Sequence, residues 1–313
     1  MSTLSRLQEK RLIILTGKGG VGKTTLSAAL GIALSRMGKK VLLCEINTQP
    51  KIPSFFGKKI ADGEIGELKN NLFSVHILPR EAMREYGVMI LKSRLLYKTI
   101  FENKFVAKFL GGFPGLNELL TLGKIRYHEN QKDSAGKPLY DTIIVDAPAT
   151  GHGISLLQFP ITILRVLSRG PLADEEKKLY DLLTDPRRTS IGIITIPEEL
   201  PVKESLELRE TIIRELNMPF GFLFFNSFIG PVCDDSQRET LSRMGDIPVP
   251  IKSSADFTLE RSSLHRNYFL SVSAEISGGI PCVPFIYSEN FGLEQLEQIA
   301  DFLTAPEVAS DHR

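Results

Sequence analysis

Residues Gly17-Lys18-Gly19-Gly20-Val21-Gly22-Lys23-Thr24 have the types and the spacing to hold a chain of phosphates. They fit the pattern GxxxxGK[ST]. Glycines let the backbone turn so that successive N–H groups converge on one anion. A helix starting near Gly22 would aim its positive end at the same point. Lys23 can reach the β- and γ-phosphates, and the hydroxyl of Thr24 can ligate Mg²⁺, with Thr25 following on the first helical turn. A plain glycine turn between strand and helix would need neither the lysine nor the hydroxyl.

A second lysine, Lys18, directly follows the first glycine, giving GKGGVGKTT over 17–25. This string resembles the deviant P-loop shared by ParA/MinD proteins, the nitrogenase iron protein and arsenite-pump ATPases. In that class the early lysine crosses a dimer interface to the partner's nucleotide, so the resemblance implies a nucleotide-sandwich dimer. Taken alone, Lys18 reads as a solvated loop lysine.

Positioning these groups requires a strand before the loop and a helix after it. Leu12–Thr16 is apolar and β-rich, the profile of a central parallel strand. Lys23–Met37 has helical periodicity, and Gly38 suits a helix stop. Val41–Cys44 is a second apolar run, so the three segments form a βαβ unit with a right-handed crossover. Its end, Glu45-Ile46-Asn47-Thr48-Gln49-Pro50, falls where parallel sheets place their ligands.

A carboxylate is also needed to hold water on Mg²⁺. Thr142–Val145 reads as a buried strand with Asp146 at its carboxyl end. A strand-end helix cap is the plainer reading of that aspartate, and the P-loop upstream favours the Mg²⁺ role. Ala147–His152 reads as a compact loop able to sense the γ-phosphate. His152 is not assigned as a base, because phosphoryl transfer depends more on positioning than on proton abstraction.

Elsewhere, Lys51–Asn71 reads as loop with a turn of helix, and Leu72–Leu78 as an edge or peripheral strand. His76 there reads as a satisfied strand residue rather than a ligand. Arg80–Asn130 is mostly helical in pattern, either an insert packed on the sheet or a helical subdomain that binds a client. Helices are expected at Glu175–Leu183, Pro201–Leu216, Cys233–Met244, Leu259–Glu275 and Gly292–Leu303. Strands are expected at Ile191–Ile196, Phe220–Phe225 and Ile280–Phe285. Asn226, just after a strand, reads either as a turn former or as an adenine contact. The expected fold is therefore α/β: a doubly wound, mostly parallel sheet P-loop NTPase. One domain spans 1–313, with a helical insert at approximately 80–130.

Composition narrows the function further. Lys+Arg 38 against Asp+Glu 37 gives a net charge of +1, which announces neither a nucleic-acid groove nor a polybasic membrane anchor. The three cysteines, Cys44, Cys233 and Cys282, lie far apart, with no CxxC for zinc or redox work. Met1–Lys10 lacks the apolar core of a signal peptide. No stretch approaches the roughly 18–20 apolar residues of a membrane span. A cytoplasmic protein is expected, any membrane contact being peripheral at the inner face.

The string at 17–25, DAPATGHGISLLQFP at 146–160, FPGLNELL at 113–120, FFNSFIG at 224–230 and PCVPFIYSENFGLEQL at 281–296 together resemble the ArsA family. That family holds the arsenite-pump ATPases and the tail-anchored-protein targeting ATPases, and the resemblance covers nearly the whole chain. It implies that Asp146 to His152 form the second switch, and that Asn226 and Val283-Pro284 cradle adenine. Two departures stand out. The CxxC pair that shares zinc across the dimer of the targeting ATPases is absent, so no zinc is expected, and the arsenite-sensing cysteine cluster has no counterpart. In addition, the family's first switch, S-T-D-P-A-H, aligns with Glu45–Pro50, which puts Asn47 where an aspartate orients the attacking water. An amide is neutral and half donor, which weakens hydrolysis. Glu45, two residues earlier, either substitutes for that carboxylate or caps the strand end.

The expected function is a dimeric switch ATPase that binds ATP·Mg²⁺ and couples nucleotide state to a protein, anion or membrane-associated client, including a hydrophobic one. Its partner is a second copy or a related ATPase subunit, with no nucleic acid. The alternatives are a non-hydrolysing regulatory subunit of a heterodimer and a ParA/MinD-type positioning ATPase. A small-molecule kinase is a weaker fit, because Lys18 and the DAPATGH loop argue against it.

Overall fold

The computed structural model describes residues 3–46, 49–84, 115–166, 169, 171–232, 237, 240, 248–276 and 280–305. Most of the helical stripe read at 80–130 (85–114), the first-switch residues Asn47 and Thr48, and Cys233 lie outside the described residues.

Eight strands form one sheet. They are β1 (Leu12–Thr16), β2 (Val41–Glu45), β3 (Ile65–Lys69), β4 (Leu72–His76), β5 (Thr142–Asp146), β6 (Thr189–Thr195), β7 (Phe220–Phe228) and β8 (Cys282–Pro284). Their order is β3-β4-β2-β5-β1-β6-β7-β8. All neighbours are parallel except β3 and β4, which form an antiparallel edge pair. The fold is thus the α/β, mostly parallel architecture that the sequence pattern requires.

The helices are α1 (Thr3–Leu7), α2 (Lys23–Arg36), α3 (Ile52–Phe55), α4 (Leu116–Asn130), α5 (Thr150–Val166), α6 (Pro171–Thr184), α7 (Glu199–Glu210), α8 (Val249–Glu275) and α9 (Leu293–Thr304). A π-turn, Thr211–Glu215, continues α7.

Alternation along β1 shows how the two layers are built. Leu12 and Ile14 join one core cluster, which the helices from α4 to α8 cover. Ile13 and Leu15 join the other, with Leu26 and Leu30 of α2 and Leu296 and Ile299 of α9. Both faces are buried, so the central strands read as unbroken apolar runs. Helix α2 is buried nearly all round. It ends in a Schellman cap: Gly38 N–H donates to Ser35 O at 3.0 Å and Lys39 N–H to Leu34 O at 3.2 Å.

Several boundaries differ from expectation. Of the two readings of β4, edge or peripheral, it is the peripheral one, next to the edge, because β3 pairs outside it. The segment read as loop with a turn of helix, 51–71, has that turn as α3 and contains in addition the strand β3. The compact loop read at Ala147–His152 gives way to α5 at Thr150. β7 runs past Asn226 to Phe228, and α8 starts at Val249 rather than Leu259.

Candidate functional site

The site forms where β1 and β5 lie side by side. Their parallel register sets Leu15 opposite Asp146, so the carboxylate emerges next to the turn that follows β1. Connections from these two strands leave toward opposite faces, α2 on one and α5 on the other. That opens a crevice at the carboxyl ends of the sheet, the ligand position of open α/β folds.

The turn itself is made possible by two glycines. Gly17 has φ 146°, and a Cβ there would lie 2.2 Å from Ile194 O on β6. Gly22 has φ 89°, and a Cβ there would lie 2.2 Å from Asn226 Nδ2. Other residues are excluded at both positions by space and by backbone conformation. Gly19 and Gly20 are exposed, which leaves the turn open to solvent. Val21, by contrast, is buried in the core and anchors the loop from below.

Lys23 opens α2 and is buried. Its ammonium donates to Gly17 O at 3.1 Å and Lys18 O at 2.9 Å, arching back over the loop. Burial holds its pKa below the usual lysine range, and the nearby Asp146 charge opposes that shift. Thr24 Oγ1 donates to Asp146 Oδ2 at 2.6 Å. Ser27 Oγ, one turn along the same helix face, reaches Asp146 Oδ1 at 3.4 Å. Hydroxyl and carboxylate thus meet at the helix N-terminus, a hard oxygen set suited to Mg²⁺ held partly through water. Thr25 is half-buried on the first turn of α2. Ser27 was not anticipated, although its i+3 spacing from Thr24 was a usable signal.

Glu45 ends β2, opposite Asp146 in register and fully buried. Its Oε1 accepts from Lys51 N–H at 2.7 Å and Ile52 N–H at 3.2 Å, and Oε2 accepts from Ile52 N–H at 3.1 Å. The carboxylate therefore caps α3. Burial raises its pKa, the two backbone donors lower it, and Asp146 raises it further.

Lys18 forms an ion pair within its own chain, Nζ to Glu204 Oε1 of α7 at 2.8 Å. Asn226 does not lie free at a loop edge. Its Nδ2 donates to Val21 O at 2.9 Å, so it clamps the loop backbone. Bulged pairing of β8 on β7, Phe225 to Cys282 and Phe228 to Pro284, brings Val283-Pro284 beside it. Val283 is wholly buried among Leu293 and Leu296, whereas Pro284 is exposed. Near the site, His76 Nδ1 lies 2.7 Å from Asp62 Oδ1, so it is a partnered strand residue. Among the described residues no group of three or more His, Cys, Asp and Glu side chains could hold a metal ion by themselves.

Residues 10–172 match the family model described as anion-transporting ATPase. The ATPase BagA of Mycobacterium tuberculosis is 33% identical over 230 residues, which is 71% of this chain and 66%, just under two thirds, of that protein. A protein of Aquifex aeolicus, provisionally named arsenical pump-driving ATPase 1, is 26% identical over 338 residues, 95% of this chain and 79% of its own. The ATPase GET3 of Kluyveromyces lactis is 23% identical over 342 residues, 98% of this chain and 93% of its own.

Proposed function

The chain belongs to the family of anion-transporting ATPases, and from that premise we propose that it is an ATP·Mg²⁺-dependent switch ATPase acting on a client. The observation that carries this reading is the meeting of Lys23, Thr24 and Asp146 at the N-terminus of α2, with Thr24 Oγ1 2.6 Å from Asp146 Oδ2. Mg²⁺, which Thr24 and Asp146 would hold, would supply positive charge to offset that of the phosphates. The chain's own residues do the rest. Backbone N–H groups from Gly19 to Thr25 and the dipole of α2 bind the phosphates. Lys23 exchanges its loop carbonyls for phosphate oxygens. Thr24 and Asp146, steadied by Ser27, would hold the metal. Asn226 sets the loop, and with Val283-Pro284 it borders the adenine side.

In this reading turnover is slow in the isolated chain. Asn47 stands where the family resemblance implies an aspartate, and Glu45, the carboxylate two residues earlier in the chain, already caps α3. The working form is a dimer, with itself or with a related ATPase subunit, across which Lys18 reaches the partner's nucleotide. Dimer formation then requires Lys18 to leave Glu204. The helical insert at approximately 80–130 belongs to the same single domain and meets a protein, anion or membrane-associated client. No helix among the described residues is long and apolar enough to cross a membrane. In this reading any contact with a membrane is peripheral, from the cytoplasm at its inner face.

The test is single-turnover hydrolysis of ATP·Mg²⁺ by the purified chain, together with sedimentation in ADP and ATP. Lys23→Ala serves as the binding-defective control. Tight, Lys23-dependent ATP binding with slow turnover is expected, along with an ATP-dependent rise in mass. Binding that survives Lys23→Ala would overturn the reading, and fast turnover untouched by Asn47→Ala would overturn the switch assignment.

A further inference from the structure

Helices α4 and α6 line a partly open cavity of about 380 Å³ that the nucleotide site does not use. Its size falls in the range of pockets that take small organic molecules. Leu119, Leu120 and Leu179 supply apolar wall, and Tyr127, half-exposed, also lines it.

Two features show that the space is not incidental. The first is Gly123, in the middle of α4. A Cβ added there meets nothing within 4 Å, so no neighbour demands a glycine. A helix-interior glycine costs about 1 kcal/mol against alanine, and here it leaves the wall of the cavity open. The second is Glu176 on α6, which lines the cavity and is only 3% exposed. Its Oε2 is buried and has no hydrogen-bond partner among the described residues. A buried carboxylate oxygen without a donor is costly, and a ligand that donates to it would relieve that cost.

Charge decides what kind. Arg126, the basic residue lining the cavity, is already engaged by Glu175. Lys178 also binds Glu175, from the solvent side, at 2.8 Å. Glu175 is thus doubly compensated, whereas Glu176 Oε2 has no hydrogen-bond partner among the described residues. Burial pushes the Glu176 carboxyl up to about 7, Arg126 draws it down and Glu175 raises it again.

We propose that this cavity binds a small amphiphilic amine, with its apolar body against Leu119, Leu120 and Leu179 and its ammonium donating to Glu176. The amine supplies the donor that Glu176 Oε2 lacks among the described residues, and a charge that Arg126, held by Glu175, does not bring to it. The site involves none of the P-loop residues, so it stands or falls separately from the nucleotide reading.

Titration calorimetry on the full chain at pH 8 tests this with 4-phenylbutylamine and its neutral match, 4-phenylbutan-1-ol. A charge-assisted bond predicts that the amine binds about tenfold or more tightly than the alcohol. Near pH 7, amine binding should release protons from Glu176, seen as a heat that varies with buffer ionisation enthalpy. Glu176→Gln should bring the two affinities together, and Gly123→Leu, which fills the cavity, should remove both. Wild-type protein that binds neither probe, or binds the alcohol as tightly as the amine, overturns the proposal without relying on any variant. An amine preference that survives in folded Glu176→Gln overturns it as well.

Discussion

Asn226 donates its side-chain amide to the carbonyl of Val21 at 2.9 Å, tying the end of a late strand to the phosphate loop. The same nitrogen lies 2.2 Å from where a Cβ at position 22 would stand. Asn226→Ala should therefore leave a buried carbonyl unpaired, costing about 1–3 kcal/mol of stability, and should weaken ATP binding. Gly22→Ala should weaken it more. The double variant should not regain wild-type affinity, because the φ of 89° stays strained. A fluorescent nucleotide titration of the three variants decides; full recovery in the double variant would show that the clash alone matters.

Thr24 and Asp146 form a single oxygen cluster at 2.6 Å. Thr24→Ala and Asp146→Asn should each lower Mg²⁺-dependent ATP affinity by about 10–100-fold, leaving ADP binding in EDTA nearly unchanged. Equal losses with and without Mg²⁺ would place the cluster in structural support instead.

If Asn47 takes the water-orienting place proposed for it, Asn47→Asp should raise single-turnover hydrolysis by about 10–100-fold, with little change in ATP affinity. An unchanged rate in a variant that binds ATP normally would remove Asn47 from that proposed role.

Glu45 caps α3 through two backbone donors. Urea unfolding should show Glu45→Ala destabilised by about 1–3 kcal/mol. Glu45→Gln, which keeps a carbonyl acceptor, should fall short of that loss. If both substitutions cost the same, the charge rather than the acceptor matters.

His265 on α8 accepts a hydrogen bond from Ile229 N–H at Nδ1, 3.0 Å away, so the ring is held neutral. Burial, helped by the Arg261 charge, lowers its pKa from 6.5 to about 4. Between those values the unfolded chain carries the extra proton. The stabilisation is then complete above pH 6.5 and is lost as pH falls toward 4. Denaturation curves from pH 7 to 4 should show the wild type losing stability more steeply than His265→Gln. Parallel profiles would assign the acid sensitivity to other groups.

What could be read from the sequence was whatever has a short-range signature. β1, α2 and the phosphate loop follow from apolar runs, helical spacing and glycine placement within a few dozen residues. Asp146 was recoverable because a buried strand ends there. β3 was not, because its residues are mostly exposed and it is held by pairing with β4 rather than by an apolar run. The start of α5 was hidden by Gly151 and Gly153, which mimic a loop. The partners of Asn226 and Lys18 lie 205 and 186 positions away, so neither contact has any local trace. For Glu45 the sequence offered two roles, and only the backbone donors of Lys51 and Ile52 show it capping α3.

Thr24 and Asp146 touch although 122 positions separate them in the chain. Local folding of the phosphate loop and its helix cannot bring them together; β5 must first zip alongside β1. Closing so long a loop carries an entropic cost, so the meeting of hydroxyl and carboxylate depends on the long-range pairing of the sheet. A ligand that needs both residues binds only the finished domain, and its binding energy is therefore shared by the whole sheet. Nucleotide capture in this protein doubles as a checkpoint on the integrity of the fold.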